Sequence, residues 1–215
     1  MDILAELAQH LLSGDDQKVS ELTRQAIAAG LPPKQILDDG LIAGMTVVGD
    51  KFKCHDLYLP DVLLAAQAMN AGLEHLKPLL VREGVRSLGK VVLGSVQGDL
   101  HDIGKNLVGV LLKGAGFEVL DLGSDVAPER FVEAATQHAA AIIGMSALLT
   151  TTMPEMSRVV ALLKERRLDG KVKTIIGGAP VTERFAREIG ADAYGFDAAN
   201  AVERVKGLIA GVVSH

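Results

Sequence analysis

The segment Gly98-Asp99-Leu100-His101-Asp102-Ile103-Gly104-Lys105-Asn106 sets two acids around one histidine. A histidine whose ring is held by a neighbouring carboxylate is the standard form of an imidazole metal ligand, because the carboxylate fixes the tautomer and raises the basicity of the other nitrogen. An aspartate placed here can equally cap the helix that follows, leaving the histidine an exposed bystander. Two further segments bear on the choice. Met145-Ser146-Ala147-Leu148-Leu149-Thr150-Thr151-Thr152-Met153-Pro154 carries three consecutive threonines, which either hold a ligand or cap a helix beginning at Pro154. Gly177-Gly178-Ala179-Pro180 pairs two glycines, which either admit a ligand against bare backbone or make a turn. None of the three decides alone.

The elements that would position these segments are legible in the apolar spacing. From Lys90 onward short apolar runs alternate with helical stretches, the signature of βαβ units. The spacing predicts strands at 91–96, 117–122, 140–146, 172–176 and 191–195. Helices are predicted at 103–113, 128–138, 154–167, 181–189 and 200–212. Together they make an α/β, flavodoxin-like domain: a five-stranded, doubly wound parallel sheet. If the strand order is 2-1-3-4-5, the crevice at the switch point opens between the carboxyl ends of the first and third strands. Both the histidine segment and the threonine run belong to that edge.

Up to about residue 88 the apolar spacing is helical throughout. Helices are expected from Met1 to about Leu12, from a Ser13-Gly14-Asp15-Asp16 break and cap to Gly30, from Pro32-Pro33 to near Asp50, and from about Leu57–Pro60 onward. The last carries Val62, Leu63, Ala66, Met69, Leu73 and Leu76 on its apolar face. Four such helices make a small N-terminal bundle. The charged, glycine-punctuated run from Arg82 to Gly89 reads as a linker, so residues 1–88 and 89–215 are expected to be separate domains.

Composition excludes several classes of function. Of 215 residues 48% are hydrophobic and 23% charged, so a real core forms and disorder is ruled out. The one cysteine, Cys54, allows neither an internal disulfide nor a multi-cysteine metal site, and it suits a reducing cytoplasm. A net charge of -5 with 3% aromatics argues against a nucleic-acid surface. No apolar stretch is long enough to cross a bilayer, and Met1-Asp2-Ile3-Leu4-Ala5-Glu6 lacks the basic start of a signal peptide, so no membrane association is expected.

Taken together, Asp99-x-His101-x-x-Gly104, Ser146-x-Leu148 and Gly177-Gly178 resemble the cobalamin-binding domain family. Gly44-Met45-x-x-Val48-Gly49-x-x-Phe52, Leu57-Tyr58-Leu59-Pro60 and Ala65-Ala66-x-Ala68-Met69 resemble the helical cap of methyl-transferring corrinoid proteins, so the resemblance covers essentially the whole chain. It implies a cobalamin cofactor bound base-off, with His101 as lower cobalt ligand, Asp99 accepting the other ring N–H, and Thr152 extending that relay. The resemblance further implies that Gly98, Asp102, Ile103 and Ala179 border the corrinoid. Ser146, Leu148 and Thr150 would line a slot for its nucleotide tail, and Gly104, Gly177 and Gly178 would give that tail room. Tyr58 or Leu59 would meet the upper corrin face.

The function so implied is that of a methyl carrier cycling between Co(I) and methyl-Co(III), as in three-component systems acting on methylamines, methanol, betaines or aryl methyl ethers. The cobalamin module of methionine synthase is similar. Its expected partners are a substrate-specific methyltransferase, a second methyltransferase delivering the methyl group to a folate or thiol, and a reductive activase. Without them the chain is not expected to be catalytic. Three alternatives share parts of the pattern. A cobalamin-dependent regulator needs a DNA-binding segment for which residues 1–88 leave no room, and the small subunit of an adenosylcobalamin mutase normally lacks the helical cap. A flavin or phospho-relay domain leaves His101 and the glycine pair unexplained.

Overall fold

The structure, a computed structural model, describes residues 2–85 and 87–213. It divides into two compact units, one of Met1–Ser87 with Lys113–Gly116 and one of Leu88–Leu112 with Phe117–His215.

The first unit is helical: α1 (Ile3–Leu12), α2 (Asp16–Ala28), a single turn α3 (Pro33–Gln35), a π-helical stretch (Ile36–Ile42), α4 (Ala43–Lys53) and α5 (Leu59–Arg82). Asp2 and Asp15 cap α1 and α2 by accepting the N–H groups of Leu4 and Lys18 at 3.2 and 3.0 Å. The buried side chains recur at helical spacing: Leu4, Leu7 and Leu11; Val19, Leu22 and Ala26; Val62, Ala65, Met69 and Leu76. Two expectations are corrected. The third predicted helix is not uniform, since α3 and α4 are joined through the π-helical stretch, a geometry that leaves no distinct mark in apolar spacing. Leu63 is 47% exposed, not part of the apolar face, and α5 turns Ala65, Ala68 and Gly72 inward in its place. Gly72 is needed there, because a Cβ would lie 2.9 Å from the Leu41 side chain.

In the second unit, β1 (Lys90–Ser95), β2 (Glu118–Asp121), β3 (Ile142–Ser146), β4 (Lys173–Gly177) and β5 (Ala193–Gly195) form one parallel sheet of order 2-1-3-4-5. Helices α6 (Ile103–Gly114), α7 (Pro128–Gln137), α8 (Pro154–Glu165), α9 (Glu183–Ile189) and α10 (Ala198–Val213) complete it. β3 and β5 each begin two residues later than expected, because the residues before them are loop, whereas β1 begins one residue earlier and β2 and β4 one later. Val91 to Ser95 are buried without alternation, as a central strand covered on both faces must be. One face packs Val92, Ile143, Met145 and Ile176 against Phe131, Val132, Met156 and Val159 of α7 and α8. Leu93 points to the opposite face, where Gly109 of α6 approaches it. Of the predicted linker, α5 ends at Arg82 and β1 begins at Lys90, while Arg86 lies outside the described residues.

Candidate functional site

Ser95 and Ser146, the last residues of β1 and β3, are register partners, so the loops that follow leave the sheet side by side. The Ser95 hydroxyl donates to the His101 carbonyl at 2.6 Å and folds the 96–101 loop back over the strand end. That fold places Asp99 between the two loops with no solvent exposure. Its Oδ1 accepts the His101 backbone N–H at 3.1 Å and lies 2.9 Å from His101 Nδ1. Its Oδ2 accepts the N–H groups of Leu148 and Leu149 at 2.7 and 3.2 Å and is 2.8 Å from the Thr152 hydroxyl. Thr152 is also 2.9 Å from the Leu149 carbonyl, giving two acceptors for one proton.

Burial alone would raise the pKa of Asp99. The Leu148 N–H, His101, Thr152 and the His101 N–H outweigh it and hold the carboxyl well below the usual carboxylate range. Asp99 is therefore a carboxylate, which only accepts, so the nitrogen facing it must carry a proton. That assigns Nδ1–H to His101, and in the neutral ring the lone pair then sits on Nε2. The ring is 52% exposed, so this lone pair belongs to an accessible ligand atom. Around it the same edge exposes Leu100, Ile103, Leu148 and Leu149, with Phe196 exposed after β5. A cluster of bare apolar side chains around a polar atom marks a binding surface.

The capping alternative is thus set aside for Asp99, whose carboxylate is wholly committed to His101 and the β3 loop. Asp102 precedes α6 and its carbonyl accepts the Asn106 N–H at 2.7 Å. Of the threonines, Thr152 is buried against Asp99, whereas Thr150 and Thr151 are exposed. Gly98 on the histidine loop and Gly104 in the first turn of α6 are exposed, and a Cβ built at Gly104 meets nothing within 4 Å outside its own helix backbone. Gly177 closes β4 and Gly178 and Ala179 are exposed beyond it. A Cβ at Gly178, whose φ is 123°, would lie 1.9 Å from the Ala147 carbonyl oxygen. Glycine is therefore required at this position by its own backbone, apart from any room it leaves for a ligand. Tyr58 precedes α5, is 70% exposed, and its N–H donates to Asp61 at 2.8 Å. Leu59 opens the helix, half-buried.

Comparison with known proteins shows the family. A family model described as "B12 binding domain" matches residues 89–206, and a second model of the same description matches residues 3–77. The chain belongs to the B12-binding corrinoid proteins. It is 43% identical to trimethylamine corrinoid protein 1 of Methanosarcina mazei, over 97% of each chain. It is 45% identical to dimethylamine corrinoid protein 1 of Methanosarcina acetivorans, over 97% of this chain and 98% of that one. The methanol:cobalamin methyltransferase complex MtaBC of Methanosarcina barkeri contains a chain that superposes with a TM-score of 0.88 at 33% identity, covering 98% of this chain and 80% of that one. A cobalamin-binding protein of Desulfitobacterium hafniense superposes with a TM-score of 0.78 at 32% identity, over 97% of this chain and 98% of that one.

The residues of this corrinoid protein fit cobalamin on structural grounds. A neutral imidazole with an accessible Nε2 is a competent cobalt ligand, and the apolar rim suits the broad face of a macrocycle. The Asn200 Oδ1, in the first turn of α10 beyond β5, is buried with no hydrogen-bond partner among the described residues, an acceptor open to a donor group. Asn200, Ser95, Phe196 and Leu149 were not legible as site residues. Leu149 contributes a backbone N–H, Ser95 acts from the strand end before the motif, and Asn200 and Phe196 lie far from it in sequence, so spacing gave no signal for them.

Proposed function

We propose that the corrinoid protein is a methyl carrier, with His101 as the lower cobalt ligand. The observation that carries the reading is the buried Asp99 carboxylate holding Nδ1–H of a half-exposed His101, so that Nε2 presents its lone pair on an apolar edge. Cobalamin supplies the cobalt that takes a methyl group from one partner enzyme and yields it to another. Asp99 keeps the ring in one tautomer and favours positive charge on it, which strengthens its donation. Thr152 lends a neutral hydroxyl to the same carboxylate and, by rotating, can donate instead to the Leu149 carbonyl. Gly98, Asp102, Ile103, Gly104 and Ala179 border the cofactor in this reading. Ser146, Leu148 and Thr150 hold its nucleotide tail beside Gly177 and Gly178.

The names of the relatives support a substrate-specific methyltransferase as donor-side partner. A second methyltransferase, passing the group to a folate or thiol, and a reductive activase complete the cycle in a cytoplasmic setting. Among the described residues no helix is long and apolar enough to cross a membrane. Titration of the apoprotein with hydroxocobalamin, followed by electron paramagnetic resonance of the Co(II) form, tests the reading. Nitrogen hyperfine structure from a protein imidazole is expected in the unmodified protein and absent in His101→Ala. Its persistence in the variant, or failure of the unmodified protein to bind, overturns it.

A further inference from the structure

We propose that Asp125 is a positioning residue for the histidine ligand, acting through the backbone on either side of the Gly98–Asp99 pair. The proposal rests on reading His101 as the cobalt ligand and concerns what holds it in place. Asp125 lies between β2 and α7. Its Oδ1 accepts the Gly98 N–H at 2.7 Å, and its own N–H donates to the Asp99 carbonyl at 3.0 Å. These two bonds bracket the dipeptide that carries the carboxylate.

The bracket is the last rung of a ladder running beyond the sheet. Ser95 N–H donates to the Gly123 carbonyl and Val126 N–H to the Ser95 carbonyl, each at 3.0 Å, and Val96 pairs with Val126 in parallel. Gly123 is itself held by Asp121, whose Oδ1 accepts its N–H at 2.9 Å. At the end of this ladder Asp125 has φ 56° and faces Gly98 with φ 81°. The left-handed region strains most side chains, and aspartate and asparagine tolerate it best. Such a conformation persists only where its surroundings over-determine it. Here the determinant is a charge-assisted bond plus a reciprocal main-chain bond, both to the histidine loop.

The consequence is a division of labour around Asp99. Its side chain is anchored from the β3 loop by Leu148, Leu149 and Thr152, while its main chain is anchored from the β2 loop by Asp125. If the second anchor is lost, the histidine loop is free to shift relative to a carboxylate pinned by β3. Oδ1 then separates from Nδ1, and both the tautomer and the direction of Nε2 become variable.

Two variants separate the contact from the backbone. Asp125→Gly keeps the left-handed conformation and the N–H bond to Asp99 but deletes the carboxylate. Asp125→Asn keeps an acceptor and tolerates the same φ. In the apoprotein at neutral pH, nitrogen-15 correlation spectra of the imidazole report which ring nitrogen carries the proton. In the cobalamin-loaded Co(II) protein, nitrogen hyperfine structure reports ligation. Unmodified protein and Asp125→Asn are expected to show one Nδ1–H form and full ligation. Asp125→Gly is expected to show mixed tautomers and a ligation equilibrium weakened on the order of tenfold, with unchanged circular dichroism. Retention of both signals by Asp125→Gly, or their equal loss in Asp125→Asn, overturns the proposal. If Asp125→Gly does not fold, the Gly98 amide of the unmodified protein decides: slow solvent exchange supports the bond, and exchange as fast as an open loop overturns it. The arms also separate the two levels of inference. Missing hyperfine structure in the unmodified protein refutes His101 as ligand, whereas tautomer mixing confined to Asp125→Gly in the apoprotein still supports Asp125 as the residue that positions the ring.

Discussion

Asp99→Asn changes the site by one atom and forces a choice between two poor arrangements. The asparagine has one acceptor oxygen where the carboxylate had two, and its amide donates. With that oxygen in the Oδ2 place, the bonds from Leu148, Leu149 and Thr152 survive, and the amide meets the His101 backbone N–H and Nδ1. With the oxygen in the Oδ1 place, the amide instead meets two backbone N–H groups, which is worse. The first arrangement wins, and it requires Nδ1 of His101 to become the acceptor, moving the proton to Nε2. One buried donor, the His101 N–H, is stranded at about 1–3 kcal/mol, and the surviving bonds lose their charge assistance, so stability should fall by about 2–4 kcal/mol in total. Freeing Nε2 for cobalt then means setting two N–H groups against each other. That costs about 1.5–3 kcal/mol, or roughly ten- to a hundredfold in the ligation equilibrium. Chemical denaturation measures the first quantity, and the hyperfine-split fraction of the Co(II) spectrum the second. An Asp99→Asn protein whose imidazole still carries its proton on Nδ1 in nitrogen-15 spectra would refute the argument that Asp99 sets the tautomer.

Thr152→Val should cost about 1–2 kcal/mol in stability yet keep the Nδ1–H form, because four other donors still hold Asp99, with Thr152→Ser near the unmodified protein; a changed tautomer would assign Thr152 a larger part. Asp99 titrates lower folded than unfolded, so the stability it adds is complete above about pH 4 and is lost as pH falls through its folded value. The stability gap between the unmodified protein and Asp99→Asn should therefore narrow below about pH 4 in denaturant titrations, and a constant gap contradicts the assignment. Gly178→Ala should lower the melting temperature sharply, since both φ 123° and the 1.9 Å approach to the Ala147 oxygen forbid a Cβ; an unchanged melting temperature would show that the loop there is otherwise arranged. Tyr58→Ala, at a site 70% exposed, should leave stability within about 0.5 kcal/mol in denaturant titrations, and a larger loss would show that the side chain packs.

The order of elements was legible because periodicity is a local property. Alternating short apolar runs and helical stretches named the parallel sheet, and the 2-1-3-4-5 order, entered only as a condition, is the one observed, with the ends of strands moved. Asp99 and His101 were legible for the same reason, standing two residues apart in one loop. Sequence spacing left open whether that aspartate caps a helix or holds the ring, because both readings use the same two residues. Tertiary structure decided it. Leu148, Leu149 and Thr152 follow β3 and reach the carboxylate because β3 lies beside β1, and two of these donors are backbone groups with no residue type to announce them. Asp125 arrives from the other side because β2 is the remaining neighbour of β1. The same holds where expectation failed: the face of α5 turned Leu63 outward. Glycine at 178 is likewise a demand of the Ala147 backbone. Periodicity names a face and a motif names a loop, but which atom meets which across the sheet depends on strand neighbours that a linear spacing does not contain.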